Sequence, residues 1–217
     1  MVRHNARVIA MSLILLFALS SVRGAWAGPP TDQLREGVER VLTILRDPEL
    51  AGDKQVDQRR SAISKVAGEM FDFGEMARRS LGQHWDGRTV PQRGEFVRLF
   101  TALIERSYVS KVDQHDAAAK MTYRGETVDG DYAVVHTTIP LPHGNEMPLD
   151  YRMHSTSGRW QVYDLSIDGI SLVSNYRSQF NKIIRTSSYP ALVARLKSSQ
   201  AEFSAPSAAP SGGKAAR

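Results

Sequence analysis

The 217-residue sequence contains no cysteine. This absence excludes disulfide bonds, a thiol nucleophile, a cysteine-based metal site and a lipid-modified N-terminal cysteine. The chain must therefore hold its core by packing alone. About 190 residues follow Ala27, which is enough for one sizeable hydrophobic core or two small subdomains that share one.

The body of the chain lacks an excess of either charge. Lys and Arg number 28 against 23 Asp and Glu, a formal charge of +5. Three of the arginines precede residue 28, and Lys214 and Arg217 lie in the last few residues, so residues 28–203 carry 23 charges of each sign. A neutral body lacks the electrostatic footprint of a nucleic-acid-binding protein, and we expect no nucleic-acid partner.

Sequence motifs of catalysis and cofactor binding are also missing. There is no GxSxG elbow, Walker A loop, GxGxxG or HExxH motif, and no two histidines have the i, i+4 spacing of a helical metal site. We therefore predict no catalytic residue, no metal and no cofactor. An enzyme would need an acid or a base inside its pocket, and Asp164 and His136 are the candidates for that alternative. Asp168 stands just before Gly169-Ile170-Ser171, and we expect it to cap the next helix.

The N-terminus has the pattern of a secretory signal peptide. Arg3 and Arg7 precede an apolar run from Val8 to Leu19, and Ala25-Trp26-Ala27 supplies a small-x-small cleavage site. The run is shorter than the roughly 20 residues that a membrane span requires. We predict a signal peptide over residues 1–27 and export to the periplasm. At the other end, residues 204–217 are small, polar and rich in Pro and Gly, which predicts a disordered tail.

Apolar residues recur at helical spacing over residues 28–115. The first stripe contains Leu34, Val38, Val41, Leu42 and Leu45. The clearest stripe follows Thr89, a suitable N-cap, and Pro91, which favours a first helical turn. Its members are Phe96, Leu99, Phe100, Leu103, Ile104 and Tyr108. Two further helices are predicted over residues 170–200.

The pattern changes to that of strands over residues 119–168. Four β-rich runs are separated by turn signals at Asp129-Gly130, His143-Gly144-Asn145 and Ser157-Gly158. The third run alternates, with Met147, Leu149, Tyr151 and Met153 on one face. We predict a four-stranded antiparallel meander whose apolar face is covered by helices, so the fold class is α+β with a helical subdomain.

Aromatic and methionine side chains line the expected contact between sheet and helices. Each could belong to a filled core, but as a set they suit an adaptable apolar site. The residues predicted to line an apolar binding pocket come from both layers: Phe96, Phe100, Leu103, Tyr108, Met121, Val134, Met147, Leu149, Tyr151, Met153, Trp160, Val162, Leu165 and Tyr176.

Three segments resemble the MlaC family, also called the toluene-tolerance auxiliary family. The longest, residues 160–180, contains the pattern WxVYDxxIxGxSLVxNYRxxF. A second lies at residues 71–85, with Phe71-Asp72-Phe73, Met76-Ala77-Arg78, Leu81-Gly82 and Trp85. The third, Leu149-Asp150-Tyr151-Arg152-Met153, is similar to the family's VDYRL strand. The resemblance covers residues 30–200.

The resemblance implies a cystatin/NTF2-like sheet with a helical subdomain, and a non-enzymatic periplasmic carrier of phospholipid that maintains lipid asymmetry. Its implied partners are phospholipid, the MCE-domain subunit of an inner-membrane ABC transporter and an outer-membrane lipoprotein–porin complex. We expect a monomer with weak headgroup selectivity. A related branch is linked to hopanoids, so a carrier of hopanoid or another apolar ligand remains an alternative, as does an NTF2-like enzyme.

Overall fold

The computed structural model describes residues 29–113, 121–141 and 144–198. The predicted signal peptide, residues 1–27, and the predicted tail, residues 204–217, lie outside these ranges. Within them the order of the main elements is four α-helices, five strands and two α-helices, with three short 3₁₀ helices between the first four α-helices. The α+β class is confirmed.

Helices form where the apolar stripes predict them. Their bounds are α1 Pro30–Arg46, α2 Val56–Met70, α3 Phe73–Leu81, α4 Val90–Asp113, α5 Leu172–Thr186 and α6 Tyr189–Lys197. The start of α4 is a capping box. The Thr89 hydroxyl accepts from the Gln92 N–H at 3.4 Å, and the Gln92 side-chain oxygen accepts from the Thr89 N–H at 3.0 Å. None of the helices within the described residues is both long and apolar enough to cross a bilayer.

The sheet is antiparallel throughout and its strands follow one another in sequence order. The bounds are β1 Thr122–Asp129, β2 Tyr132–Pro140, β3 Glu146–Thr156, β4 Arg159–Ile167 and β5 Ile170–Ser171. The predicted meander is confirmed in its first four strands, but the strand count of four is wrong. Pairing of Tyr132 with His154 and of His136 with Asp150 fixes the register of β2 on β3.

The additional strand β5 arises from an Asp-Gly turn. Asp168 and Gly169 both have positive φ, 50° and 77°, and Ile167 pairs directly with Ile170. Positive φ at both central residues is the geometry of a tight hairpin turn. The expectation that Asp168 caps the next helix is therefore wrong. Ser171 caps α5 instead, since its hydroxyl accepts from the Ser174 N–H at 3.0 Å.

Two apolar clusters occupy the interior. The first, the helical core, lies among α3, α4, α5 and α6 and is centred on the fully buried Phe96, Phe100, Tyr176 and Phe180. The second lies on the sheet and includes Leu34 of α1 with Val135, Tyr151 and Val162. Alternation along β3 buries Leu149, Tyr151 and Met153, as the sequence predicts.

Hydrogen bonds join α1 and the start of α3 to the sheet. The Asp72 N–H, just before α3, donates to the Val162 carbonyl at 2.9 Å. The Trp160 N–H donates to the side chain of Gln33 on α1 at 2.9 Å, and the Thr31 N–H donates to Glu126 of β1 at 2.9 Å. These contacts hold α1 and α3 against the sheet.

Candidate binding cavity

A cavity of about 660 Å³ lies between the sheet and the helices. Its walls come from the C-terminal half of α1, from α2, from the start of α3 and from the last three turns of α4. The sheet supplies the remaining wall, with Leu149 and Tyr151 among its residues. The volume falls in the range of about 300–1,000 Å³ that small-molecule sites occupy.

The lining is almost entirely apolar and includes flexible side chains. Met70, Met121 and Met147 contribute methionine side chains that can adopt several shapes. At the rim, Val112 of α4 and Leu141 after β2 each keep 36% of their surface exposed. The cavity is thus an adaptable apolar space that reaches the surface near the end of α4.

Six of the residues predicted from the sequence line the cavity. Two lie outside the third and fourth strands, namely Tyr108 on α4 and Met121 before β1. The other four are Met147, Leu149, Tyr151 and Leu165. The alternation of β3 identified its cavity face because side chains two residues apart point to the same side of a sheet.

The other eight predicted residues lie elsewhere. Phe96, Phe100, Leu103 and Tyr176 fill the helical core, and Met153, Trp160 and Val162 belong to the cluster on the sheet without lining the cavity. Val134 is half-buried on the opposite face of β2, since Ala133 and Val135 are the buried members of that strand. Neighbouring residues of a strand point to opposite faces of the sheet, so a prediction that is wrong by one residue selects the wrong face.

The sequence-based choice missed the contribution of α1 and α2. Val38, Val41, Leu42 and Leu45 of α1 all line the cavity, as does Ile63 of α2. The signal was present, because these α1 residues form the first helical stripe of the sequence. Periodicity shows which face of a helix is apolar but not whether the space opposite is filled.

Few polar groups reach the cavity. Burial raises the pKa of the Tyr108 hydroxyl and that of the Tyr151 hydroxyl above the usual value, so both phenols are neutral at physiological pH. Glu105 and Lys111 are the charged residues among those that line it. The Lys111 ammonium lies 5.4 Å from the centre of the Tyr108 ring, within the range of a cation–π contact.

Neither candidate acid or base of the enzyme alternative lines the cavity. The Asp164 carboxylate accepts hydrogen bonds from the Val173 N–H at 3.0 Å and from the Ser171 hydroxyl at 2.6 Å, so it holds the start of α5. His136 lies on the other face of the sheet, 2.8 Å from Asp150. No group of three or more potential metal-ligating side chains occurs within the described ranges.

An ion network closes the gap between α2 and α4 at the end of α4. Asp113, whose side chain is 3% exposed, pairs with Arg59 and with Arg60, the latter at 3.1 Å. Arg59 also donates to the Leu50 carbonyl at 2.6 Å. The hydrogen bond from Arg59 holds the pKa of the Asp113 carboxyl below its usual value. The network therefore fixes the rim of the cavity beside Val112.

An antiparallel sheet covered by helices around an apolar cavity defines a class of small proteins suited to hold an apolar ligand. The model of the family described as MlaC protein matches residues 35–198, and the chain belongs to this family. The resemblance seen in the sequence is confirmed.

Two known proteins show the relationship in more detail. The intermembrane phospholipid transport system binding protein MlaC of Haemophilus influenzae is 21% identical over 127 residues, which are 56% of this chain and 59% of that protein. The chain thus spans about three fifths of this relative. The phospholipid-binding protein of Ralstonia solanacearum, solved in complex with a phospholipid, is 26% identical with a TM-score of 0.66, and the match covers 76% of this chain and 93% of the other.

Proposed function

We propose that this protein is a periplasmic phospholipid carrier and not an enzyme. It holds the acyl chains of its cargo in the cavity and moves them between the outer membrane and an inner-membrane ABC transporter, which maintains lipid asymmetry. The observation that carries the proposal is the apolar cavity of about 660 Å³ between α1, α2, α4 and the sheet. The phospholipid complex of the Ralstonia relative supports the choice of cargo.

The energetics of the cargo favour a carrier that exchanges with membranes. Two acyl chains contain roughly 30 methylenes, and shielding them from water is worth on the order of 25 kcal/mol at about 0.8 kcal/mol each. This exceeds the practical ceiling of noncovalent affinity, about 18–21 kcal/mol. The relevant reference is therefore the bilayer, which solvates the chains equally well. The cavity can load and unload without a large net cost, and the partners supply the direction.

The location and partners complete the proposal. The pattern of residues 1–27 supports export, and membership of the MlaC family supports a place between the two membranes. The partners are the MCE-domain subunit of the transporter and an outer-membrane lipoprotein–porin complex, and the carrier acts as a monomer. The neutral body of the protein argues against strong attraction to anionic membranes as the basis of docking.

Native mass spectrometry of the protein purified from the periplasm of an expression host, with lipid extraction of the same sample, tests the proposal. We expect a mass shift from bound phospholipid, and the extract identifies the chains. A hopanoid in the extract would replace phospholipid as the cargo. A mass without ligand, unchanged after incubation with liposomes, would overturn the proposal.

A further inference from the structure

Met70, the last residue of α2, lies directly against the backbone of α1. A Cβ atom added to Gly37 of α1 would lie 2.5 Å from the Met70 sulfur and 2.6 Å from its Cγ. Nonbonded heavy atoms pack at roughly 3.5–4.0 Å, so no side chain fits there while Met70 keeps its position. Gly37 is buried, and Met70 is half-buried and lines the apolar cavity. The missing side chain of Gly37 therefore forms a notch in α1 that receives the thioether of Met70.

The notch, and not the backbone geometry, accounts for a glycine at position 37. Gly37 lies in the middle of α1 and is not among the glycines with positive φ. A glycine inside a helix is less favourable than alanine, so a packing reason is expected for it. Gly68 of α2 is a useful contrast, because a Cβ added there would meet no packing neighbour within 4 Å among the described residues. Alanine thus suits the helix at both positions but suits the packing only at Gly68.

Met70 borders the inner end of the cavity. The exposed residues of the lining lie together at the ends of α4 and β2, namely Lys111, Val112, Pro140 and Leu141. On β3 the lining ends at Tyr151, and the next residue on the same face, Met153, is not part of it. The partner of Met153 on β4 forms a bridge with Phe71, the neighbour of Met70. The thioether therefore lies at the end of the cavity away from these exposed residues.

Hydrogen bonds to the sheet fix the spacing of α1 and α2 around the notch. The side chain of Gln33 on α1 accepts from a backbone N–H of β4 at 2.9 Å. The carbonyl of Glu69 on α2 accepts from Arg159 of β4 at 2.6 Å, and the carboxylate of Glu69 pairs with Arg40 of α1 at 2.6 Å. A Cβ in the notch is therefore accommodated by rotation of the flexible Met70 side chain, which costs less than separating the helices.

We propose that the Met70 thioether forms the inner end wall of the cavity and sets the length of acyl chain that the protein accepts, and that Gly37 positions this thioether. With glycine at position 37, the sulfur and its methyl group lie in the notch and leave the inner end free. With alanine there, both groups turn into the cavity and take up the space of about two methylene groups. The inference rests on the proposed function, because the chains must enter this cavity.

The expected size of the effect follows from the methylene groups that no longer fit. A chain longer than the cavity leaves some of its methylene groups at the opening, in contact with water. Each of these groups weakens binding about fourfold relative to a chain that fits. Because the other methionine side chains of the lining can adjust their shape, the net change between two chain lengths should be about three- to tenfold.

Competition among chain lengths on one headgroup tests the inference. The full protein is incubated with vesicles of equal amounts of dimyristoleoyl, dioleoyl and dierucoyl phosphatidylcholine, and each lipid retained per protein is counted by mass spectrometry of the extract. Gly37→Ala should lower the ratio of dioleoyl to dimyristoleoyl lipid about three- to tenfold relative to the wild type. Gly68→Ala, the matched control, should keep the ratio of the wild type.

Replacing Met70 distinguishes an effect on the end wall from a general disturbance of α1. Met70→Ala removes the thioether and should raise the ratio of dierucoyl to dioleoyl lipid. The double variant Gly37→Ala/Met70→Ala should behave as Met70→Ala does, because the added methyl group then has no thioether to displace. A double variant that keeps the short-chain preference of Gly37→Ala would overturn the positioning role of Gly37.

Met70→Ala also decides the test where Gly37→Ala does not fold. Chain ratios that stay as in the wild type in Met70→Ala, with lipid still retained, would overturn Met70 as the end wall and leave the carrier function intact. A wild type that retains no lipid of any chain length would overturn the carrier function itself.

Discussion

The helical core and the sheet-facing cavity are both built from apolar stripes, yet one is filled and the other is hollow. In the helical core, rings from α4 and α5 pack edge to face, with Phe100 5.8 Å from Tyr176 and 6.2 Å from Phe180 between ring centres. The cavity instead is lined mainly by methionine and aliphatic side chains. A sealed empty cavity of 660 Å³ would cost on the order of 15 kcal/mol, as much as a whole domain's stability. Because this cavity reaches the surface near the end of α4, solvent or a ligand can fill it and this cost does not arise.

Truncating one side chain in each region should give the largest difference in the free energy of unfolding. Phe100→Ala removes a ring that is 0% exposed and should lower the free energy of unfolding by about 3–5 kcal/mol. Met147→Ala, at the half-buried cavity wall, should cost at most about 2 kcal/mol, because its side chain already borders empty space. Urea unfolding followed by circular dichroism measures both. Equal losses would mean that the cavity wall is packed as tightly as the helical core.

Much of the fold was predictable because local patterns specify it. The bounds of β1 to β4 follow from turn residues and alternation, and the capping box at Thr89 marks the start of α4. The strand β5 was missed although Asp168-Gly169 is the same kind of turn signal as Asp129-Gly130. The short segment after Gly169 could also begin a helix, and only pairing with β4 decides between the two.

Enlarging one alanine in each region should also distinguish the filled helical core from the cavity. Ala77→Leu inserts three carbons into the helical core, where the residue is 0% exposed, and should destabilise the protein by about 1–3 kcal/mol. Ala67→Leu places the same atoms on α2 into the cavity, so the stability should change by less than about 1 kcal/mol. The amount of lipid retained per protein should fall in Ala67→Leu and should stay unchanged in Ala77→Leu as long as that variant folds. A strongly destabilised Ala67→Leu would contradict an open space at this wall.

The smallest effect on stability is expected at the rim of the cavity, and it depends on pH. Asp113→Asn removes the carboxylate that joins α4 to Arg59 and Arg60 and should lower stability less than either core variant. The pKa of Asp113 is depressed in the folded protein, so its contribution is complete above the unfolded value near 3.8 and is lost as the pH falls through the folded pKa. The difference from wild type should therefore be full at pH 7 and disappear in strong acid.

Urea unfolding at pH 7, 4 and 2.5 checks this pH dependence. Asp57→Asn, an exposed carboxylate in the first turn of α2, is the control and should show little difference at any of these values. A stability difference for Asp113→Asn that stays constant down to pH 2.5 would show that the carboxylate's charge is not what holds the rim.

The cavity was harder to predict than the fold. The alternation of β3 correctly pointed Met147, Leu149 and Tyr151 toward one space, because a strand fixes the direction of each side chain. A helical stripe carries no such information about what lies opposite. Phe100 and Tyr108 belong to the same stripe of α4, but the first meets the rings of α5 and the second meets the cavity. Which residues of this stripe are packed and which line the cavity depends on the position of α5 in the tertiary structure.

Hydrogen bonds to β4 attach α1 through Trp160, α3 through Val162 and α5 through Asp164. The cavity, in contrast, is bordered by side chains, among them the unbranched Met121 and Met147. These side chains can change rotamer without breaking a hydrogen bond between helix and sheet or within the sheet. The interior volume of this fold can therefore vary while its backbone stays fixed.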